Sequence, residues 1–232
     1  MSDPATALVF YLVFLFSVTV HEAAHAWSAQ RGGDPTAYLG GQVSLNPLPH
    51  IRREPFGMVV LPVISVLLSG WPFGFASAPY DAGWARRHPR KAAWMALAGP
   101  GSNLAILLGA AVIIRLAVAG GSLHEPAAAG IGRVVASSGS ELGAAAALVL
   151  SVLFSMNLIL FLLNMIPFPP LDGSAAVALL LPPAWMDGYH AFLRQPMLGW
   201  LGILVAWRIF GRIFQPVFIQ ALNLLYPGSS WG

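Results

Sequence analysis

Residues 5–25 read ATALVFYLVFLFSVTVHEAAH, and this stretch decides the fold. Ala5 to Val20 carries no charge, and the run then ends in three ionisable side chains, His21, Glu22 and His25. Continued through Ala23, Ala24, Ala26, Trp27 and Ala29, it reaches the ~20 residues that a membrane-crossing helix requires. Gly32-Gly33-Asp34-Pro35 then stops it. Ionisable groups at that depth are costly and usually functional. On a helix, His21 and His25 lie one turn apart on one face, close enough to share a metal ion.

The composition of the whole chain agrees with this reading. With 57% hydrophobic and 9% charged residues, against roughly 25% charged in soluble domains, the chain reads as a polytopic membrane protein. It has no cysteine, which removes disulfides and thiolate zinc sites and leaves His, Asp and Glu as metal ligands. The formal charge of +3 comes from a few basic residues in loops between apolar spans, where they set orientation. Nucleic acid is therefore not an expected partner. Ala24-His25-Ala26 fits a signal-peptide cleavage pattern, but Met1 to Thr6 holds Asp3 and no Lys or Arg, which argues against one.

Beyond the first helix, Arg31 to Pro55 is polar and carries turn signals at Gly40-Gly41, Asn46-Pro47 and Pro49. The alternation of Leu39, Val43 and Leu45 predicts a short extended segment there. Phe56 to Gly70 is apolar, yet its roughly 15 residues are few for a full crossing, so a re-entrant hairpin fits as well as a short span. Trp71 to Tyr80, with Pro72, Gly74 and Pro79, reads as irregular or extended chain. Arg86, Arg87, Arg90 and Lys91 mark a cytoplasmic loop. Ala92 to Ala119 and Leu142 to Ile166 read as further spans. Pro196 to Tyr226 is long enough for one crossing, with Arg208 and Arg212 placing part of it at an interface. The expected fold is an all-α polytopic membrane protein of about four to six transmembrane helices. A re-entrant or β-hairpin segment lies between the first helix and the Gly99-Pro100 helix. One domain, 1–232, is expected, with a core over 5–183 and a C-terminal helical segment over 196–226.

In an H-E-x-x-H pattern two neutral imidazoles bind Zn2+, and the glutamate between them takes a proton from the water that the metal activates. Glu22 would be that base. A third protein ligand is needed. Soluble enzymes of the extended H-E-x-x-H-x-x-G-x-x-H type are excluded, because Ser28 and Arg31 stand at the required Gly and His positions. Glu54 follows Arg52-Arg53 and precedes Pro55, which suits a solvated loop charge. His50, His88, His124 and His190 sit in polar, Pro-rich or Gly-rich surroundings and read as ordinary loop histidines. Asp172 remains, beside a span and behind prolines that let irregular backbone line a cavity. A helix N-cap is its other reading.

At these residues the chain resembles the site-2 protease family of intramembrane zinc metalloproteases. Three blocks carry the resemblance, in the family's order: His21-Glu22-x-x-His25, Gly99-Pro100-x-x-Asn103, and Asn164-x-x-Pro167-x-Pro169-Pro170-Leu171-Asp172-Gly173. The Asn46 to His50 run looks like the short prokaryotic branch without regulatory domains. The resemblance implies one Zn2+ per chain, with Asp172 as its third ligand and Glu22 as the activator of water. Two departures stand out. Ser174 replaces a frequent second glycine, which is expected to be tolerated because Ser is also small. Arg52-Arg53-Glu54 stands where the short branch often has an acidic residue beside the histidine.

For His21, His25 and Asp172 to meet, the helices before them must run in the same direction, so only one full crossing can separate them. Together with the basic loop, this places the site toward the cytoplasmic side of a multi-pass protein of a prokaryotic inner membrane. The expected substrate is a transmembrane protein or peptide, cleaved in regulated intramembrane proteolysis. Segments near Leu39 to Leu45 and Phe73 to Ala78 would offer a strand edge to an unwound substrate. Asn103 and Asn164 either join helices by hydrogen bonds or hold substrate backbone and support the oxyanion. Adaptor proteins or a homo-oligomer are compatible with this reading. The alternatives are a metal-binding transporter and an inactive membrane scaffold. A transporter would place ionisable groups in several spans, and Ile106 to Ile114 and Leu142 to Leu163 have none.

Overall fold

The architecture is that of a computed structural model describing residues 3–193 and 195–231. Helix α1 (Pro4–Gly32) begins where the Asp3 carboxylate accepts from the Thr6 N–H, with proline at the first helical position. It ends at Gly33, whose φ of 101° is a left-handed conformation that glycine adopts without steric cost.

Two short helices follow, α2 (Thr36–Leu39) and α3 (Pro47–Arg53). The described residues contain no strand, so the β-hairpin and the extended segment expected near 39–45 are not formed. The physical cause is local capping. Asp34 accepts from the Thr36 N–H at 3.0 Å just ahead of α2, whose N-cap is Pro35. Asn46 accepts from the Leu48 N–H at 3.0 Å, and Pro47 at the first helical position starts α3. Residues that signal turns are the same residues that open helices.

The next segment folds back on itself. A π-helical turn, Phe56–Val60, runs into α4 (Leu61–Ser69), which ends at Gly70 with φ 75°. At 1.5 Å per residue this rod reaches about 21 Å, short of the ~30 Å hydrocarbon core. From Pro72 to Asp81 the chain runs back without helix, turn or bend. The Phe73 N–H donates to the Ser65 hydroxyl at 2.7 Å, and the Phe75 N–H donates to the Gly57 carbonyl at 3.1 Å. The Ser77 hydroxyl donates to Glu54 at 2.7 Å. Residue pairs 65/73, 57/75 and 54/77 thus retrace the rod, bringing residues 54 and 77 together at its start. Gly57 is required for this, since a Cβ there would lie 2.2 Å from the Phe75 carbonyl oxygen.

Asp81 caps the short α5 (Ala82–Arg87), and α6 (Pro89–Ala119) forms the centre of the bundle. Helix α7 (Glu141–Asn164) starts at Ser140. It is followed by α8 (Asp172–Ala176), α9 (Met186–Leu193) and α10 (Pro196–Leu225). Among the described residues four helices are long and apolar enough to cross a membrane: α1, α6, α7 and α10. The chain is an all-α integral membrane protein. Buried Leu107, Ile114, Phe154, Leu158, Phe218 and Leu222 join α6, α7 and α10. Phe10, Phe14, Val18, Met58, Val66 and Met156 join α1, the hairpin and α7. Leu8, Leu12, Phe16, Leu108, Val112 and Leu116 stay exposed on the outer faces, where lipid is their solvent.

Candidate metal centre and active site

The last turns of α1 carry His21, Glu22 and His25 into the interior, each less than a tenth exposed. Asp172 arrives on α8, just beyond the end of α7. The two imidazole Nε2 atoms are 2.9 Å apart, and the Asp172 Oδ2 lies 3.1 Å from one and 3.3 Å from the other. The N-cap of α8 is Leu171, not Asp172, so the carboxylate is turned to the histidines rather than to its own helix. Gly173 allows this approach, because a Cβ there would meet the Met165 and Ile166 carbonyl oxygens at 2.5 and 2.6 Å.

What surrounds the imidazoles fixes their protons. The His25 Nδ1–H donates to the Met95 carbonyl at 2.7 Å, and the His21 Nδ1–H donates to the Asn103 Oδ1 at 2.7 Å. The Asn103 amide is oriented in turn by α7. The Asn157 amide nitrogen donates to the Leu153 carbonyl at 2.9 Å and to the Ser17 hydroxyl at 3.0 Å. This leaves the Asn157 Oδ1 to accept from the Asn103 Nδ2 at 2.9 Å. A backbone carbonyl thus sets the polarity of the whole relay. With both Nδ1 atoms donating, each imidazole in its neutral form would present Nε2 as an acceptor.

Two imidazole nitrogens and a carboxylate oxygen thus converge on one point, a donor set that a cation would hold together. Tetrahedral zinc with bonds of about 2.0–2.1 Å would space neighbouring ligand atoms by roughly 3.3 Å, and the observed separations of 2.9–3.3 Å fit. Gly99 keeps this space open, since a Cβ there would stand 2.3 Å from the His25 Nε2 and 2.5 Å from the His21 Nε2.

A cavity of about 760 Å3 opens in front of the cluster and is also lined by Glu22, Asn164 and the Gly74–Ala78 strip. The Glu22 Oε2 is buried and has no hydrogen-bond partner among the described residues. The Asn164 amide nitrogen donates to the Leu160 carbonyl at 3.0 Å, and the residue faces the cavity. Asn103 does not line the cavity; it is fully buried behind His21. Ser174 is accommodated, its hydroxyl donating to the Leu171 carbonyl at 2.7 Å.

Three residues of the site escape sequence reasoning. Asn157 lies in an apolar span with no motif around it, and only the Asn103 contact reveals its part. Tyr189 and His190, on α9, line the cavity. The Tyr189 hydroxyl bonds the Ser174 carbonyl, and the His190 Nε2 is buried with no partner among the described residues. Their surroundings in sequence are those of an ordinary loop.

A helical membrane bundle that gathers two imidazoles, a carboxylate and an unpartnered glutamate around one cavity belongs to the class of membrane-embedded zinc hydrolases. The chain is a member of peptidase family M50, whose family model matches residues 9–188, and it is a zinc-dependent protease. It is 29% identical to "Putative zinc metalloprotease YwhC" of Bacillus subtilis over 91% of this chain and 95% of that one. It is 30% identical to "Putative zinc metalloprotease Rip2" of Mycolicibacterium smegmatis over 75% of this chain, which spans 59% of that protein. No solved structure shows a significant match to the chain.

Proposed function

We propose that this protease is an intramembrane endopeptidase, acting on a peptide bond within or near a transmembrane segment of another protein in regulated proteolysis. His21, His25 and Asp172 hold the zinc, and Glu22 is the general base. The observation that carries the reading is the convergence of two imidazole nitrogens and a carboxylate oxygen beside a buried glutamate oxygen without a partner among the described residues, in a cavity within a membrane bundle. Zinc bound there supplies Lewis acidity toward the attacking water and the scissile carbonyl. The Glu22 carboxylate accepts the proton of that water and returns it to the departing amine. Asn164 faces the cavity and is available to the substrate backbone. Asn103 acts from behind, holding His21 in the tautomer a metal requires.

A helical substrate keeps its peptide groups in internal hydrogen bonds, so a segment must unwind before it can be cut. The Pro72–Tyr80 strip suits an unwound chain. In extended backbone, successive residues face opposite edges, and Phe73, Phe75 and Ser77 use their bonds toward the protein. Gly74, Ala76 and Ala78 then face the other edge, and among the described residues their backbone groups have no partner. That edge pairs with substrate. The 54–77 hairpin enters and leaves on one side, as a re-entrant segment does. With one full crossing, α6, between α1 and α7, the site lies toward the cytoplasmic face of a prokaryotic inner membrane, beside Arg86, Arg87, Arg90 and Lys91. Residues 1–232 act as a single domain.

The test is cleavage of a model transmembrane substrate in proteoliposomes, with product ends mapped by mass spectrometry. Cuts within or beside the membrane segment are expected. Cleavage confined to water-soluble loops would contradict the reading.

A further inference from the structure

The metal centre leaves the 36–55 segment without a role, since that segment contributes no ligand to it. Its contacts converge instead on one residue of the strip. The Ser77 carbonyl accepts from the Gln42 Nε2 at 3.2 Å. The Ser77 hydroxyl donates to the Glu54 Oε1 at 2.7 Å and accepts from the Arg53 Nε at 3.4 Å. Gln42 is 2% exposed, and its own N–H is fixed by the Ala37 carbonyl at the end of α2. Glu54 terminates α3 and donates its N–H to the His50 carbonyl. Both side chains therefore follow short helices, α3 capped by Asn46 and α2 preceded by the Asp34 carboxylate that accepts from Thr36.

We propose that Gln42 and Glu54 are positioning residues that lock the register of the Pro72–Tyr80 strip against the metal centre, and so select which peptide bond of the substrate is cut. The proposal rests on the strand-pairing reading above. Alternation along the strip is what makes its register matter. A slip of one residue moves the strip by about 3.3 Å and turns its free edge inward. It would also bring Ala76 or Ala78 opposite Glu54, and neither has a hydroxyl to give. The Gly57 to Phe75 bond and the Gln42 to Ser77 bond would break in the same slip, leaving a buried amide unpaired, which is costly. The strip lines the same cavity as His21, Glu22 and His25, so the register of a paired substrate sets which carbonyl meets the metal. One residue of slip is one peptide bond of error.

The experiment uses the full chain in proteoliposomes with a model transmembrane substrate, measuring KM, kcat, zinc content and the cleaved bonds. Glu54→Ala and Ser77→Ala are each expected to raise KM roughly three- to tenfold, about the worth of one hydrogen bond. Each should also add cuts displaced by one or two residues, with kcat and zinc content retained. The double variant should be no worse than Ser77→Ala alone, because that change already removes the contact with Glu54. Glu54→Gln keeps an acceptor for the Ser77 hydroxyl and should recover most of the loss. Gln42→Ala should spread the cuts in the same way. A single wild-type cut and wild-type KM in these variants would overturn the proposal, as would additive effects of Glu54→Ala and Ser77→Ala. Ala76→Pro separates the two levels, since it removes an N–H from the free edge. If it abolishes cleavage while Glu54→Ala and Gln42→Ala behave as wild type, the positioning role alone falls. If Ala76→Pro cleaves as wild type, the strand-pairing reading falls and takes this proposal with it.

Discussion

At the scale of single residues, protons decide the site. His21 and His25 bind a metal through Nε2 only if each carries its hydrogen on Nδ1, and the acceptors that enforce this are the Met95 carbonyl and the Asn103 amide oxygen. Asn103 is held the right way round by Asn157. Asn157→Leu is close in size but lets the Asn103 amide turn its NH2 toward His21, which moves the imidazole hydrogen to the metal side. Zinc affinity is expected to fall roughly 10–100-fold, measured by competition with a chromophoric chelator, while the helical content persists. Unchanged affinity would remove the relay from the mechanism. The ligands are more legible in the sequence than their support. H-E-x-x-H carries its chemistry in its spacing, and Asp172 stands out once the competing carboxylates and histidines are eliminated and the family resemblance is added. Nothing local distinguishes Asn157 from any other asparagine in an apolar helix, because its partner lies 54 residues away in the chain.

At the scale of elements, the fold is a set of long helices plus one hairpin that no periodicity foretells. The four spans are legible because a nearly charge-free run of about 20 residues is long enough to cross a bilayer and too apolar for a water-facing surface. The 39–45 stretch reads as extended in sequence but folds as a turn and bends between the short helices α2 and α3, since residues such as Asn46 and Pro47 serve equally as turn formers and helix starts, and only the neighbouring packing decides. Phe56 to Gly70 is short for a crossing in sequence, and its pairing with residues 73–77 depends on Gly57 and Ser65, which nothing in the sequence singles out. Gly57→Ala tests the element. Its Cβ would meet the Phe75 carbonyl oxygen at 2.2 Å and push the strip from the rod. Cleavage efficiency should drop through KM at constant zinc content; a parallel loss of zinc would mean that the hairpin supports the metal centre instead.

At the scale of the whole molecule, the arrangement is a matter of direction. Helices α1 and α7 both deliver their C-terminal ends toward the His21, His25 and Asp172 cluster, which one intervening crossing permits and two would forbid. The absence of cysteine makes this testable by single-cysteine labelling. His88→Cys, beside the basic cluster, should react with a membrane-impermeant maleimide from the cytoplasmic side, and Gly139→Cys from the opposite side. Leu68→Cys, 83% exposed at the far end of the hairpin, should react from neither side if the hairpin ends in lipid. Labelling of Leu68→Cys from outside would make the segment a full crossing. Whether a zinc held by His21, His25 and Asp172 works with Glu22 as its base is decided by one comparison: cleavage of a transmembrane substrate by wild type and Glu22→Gln at equal zinc loading. About one zinc per chain is expected in both proteins, with a rate at least roughly 10²-fold lower in the variant. Wild-type cleavage by Glu22→Gln would contradict this assignment.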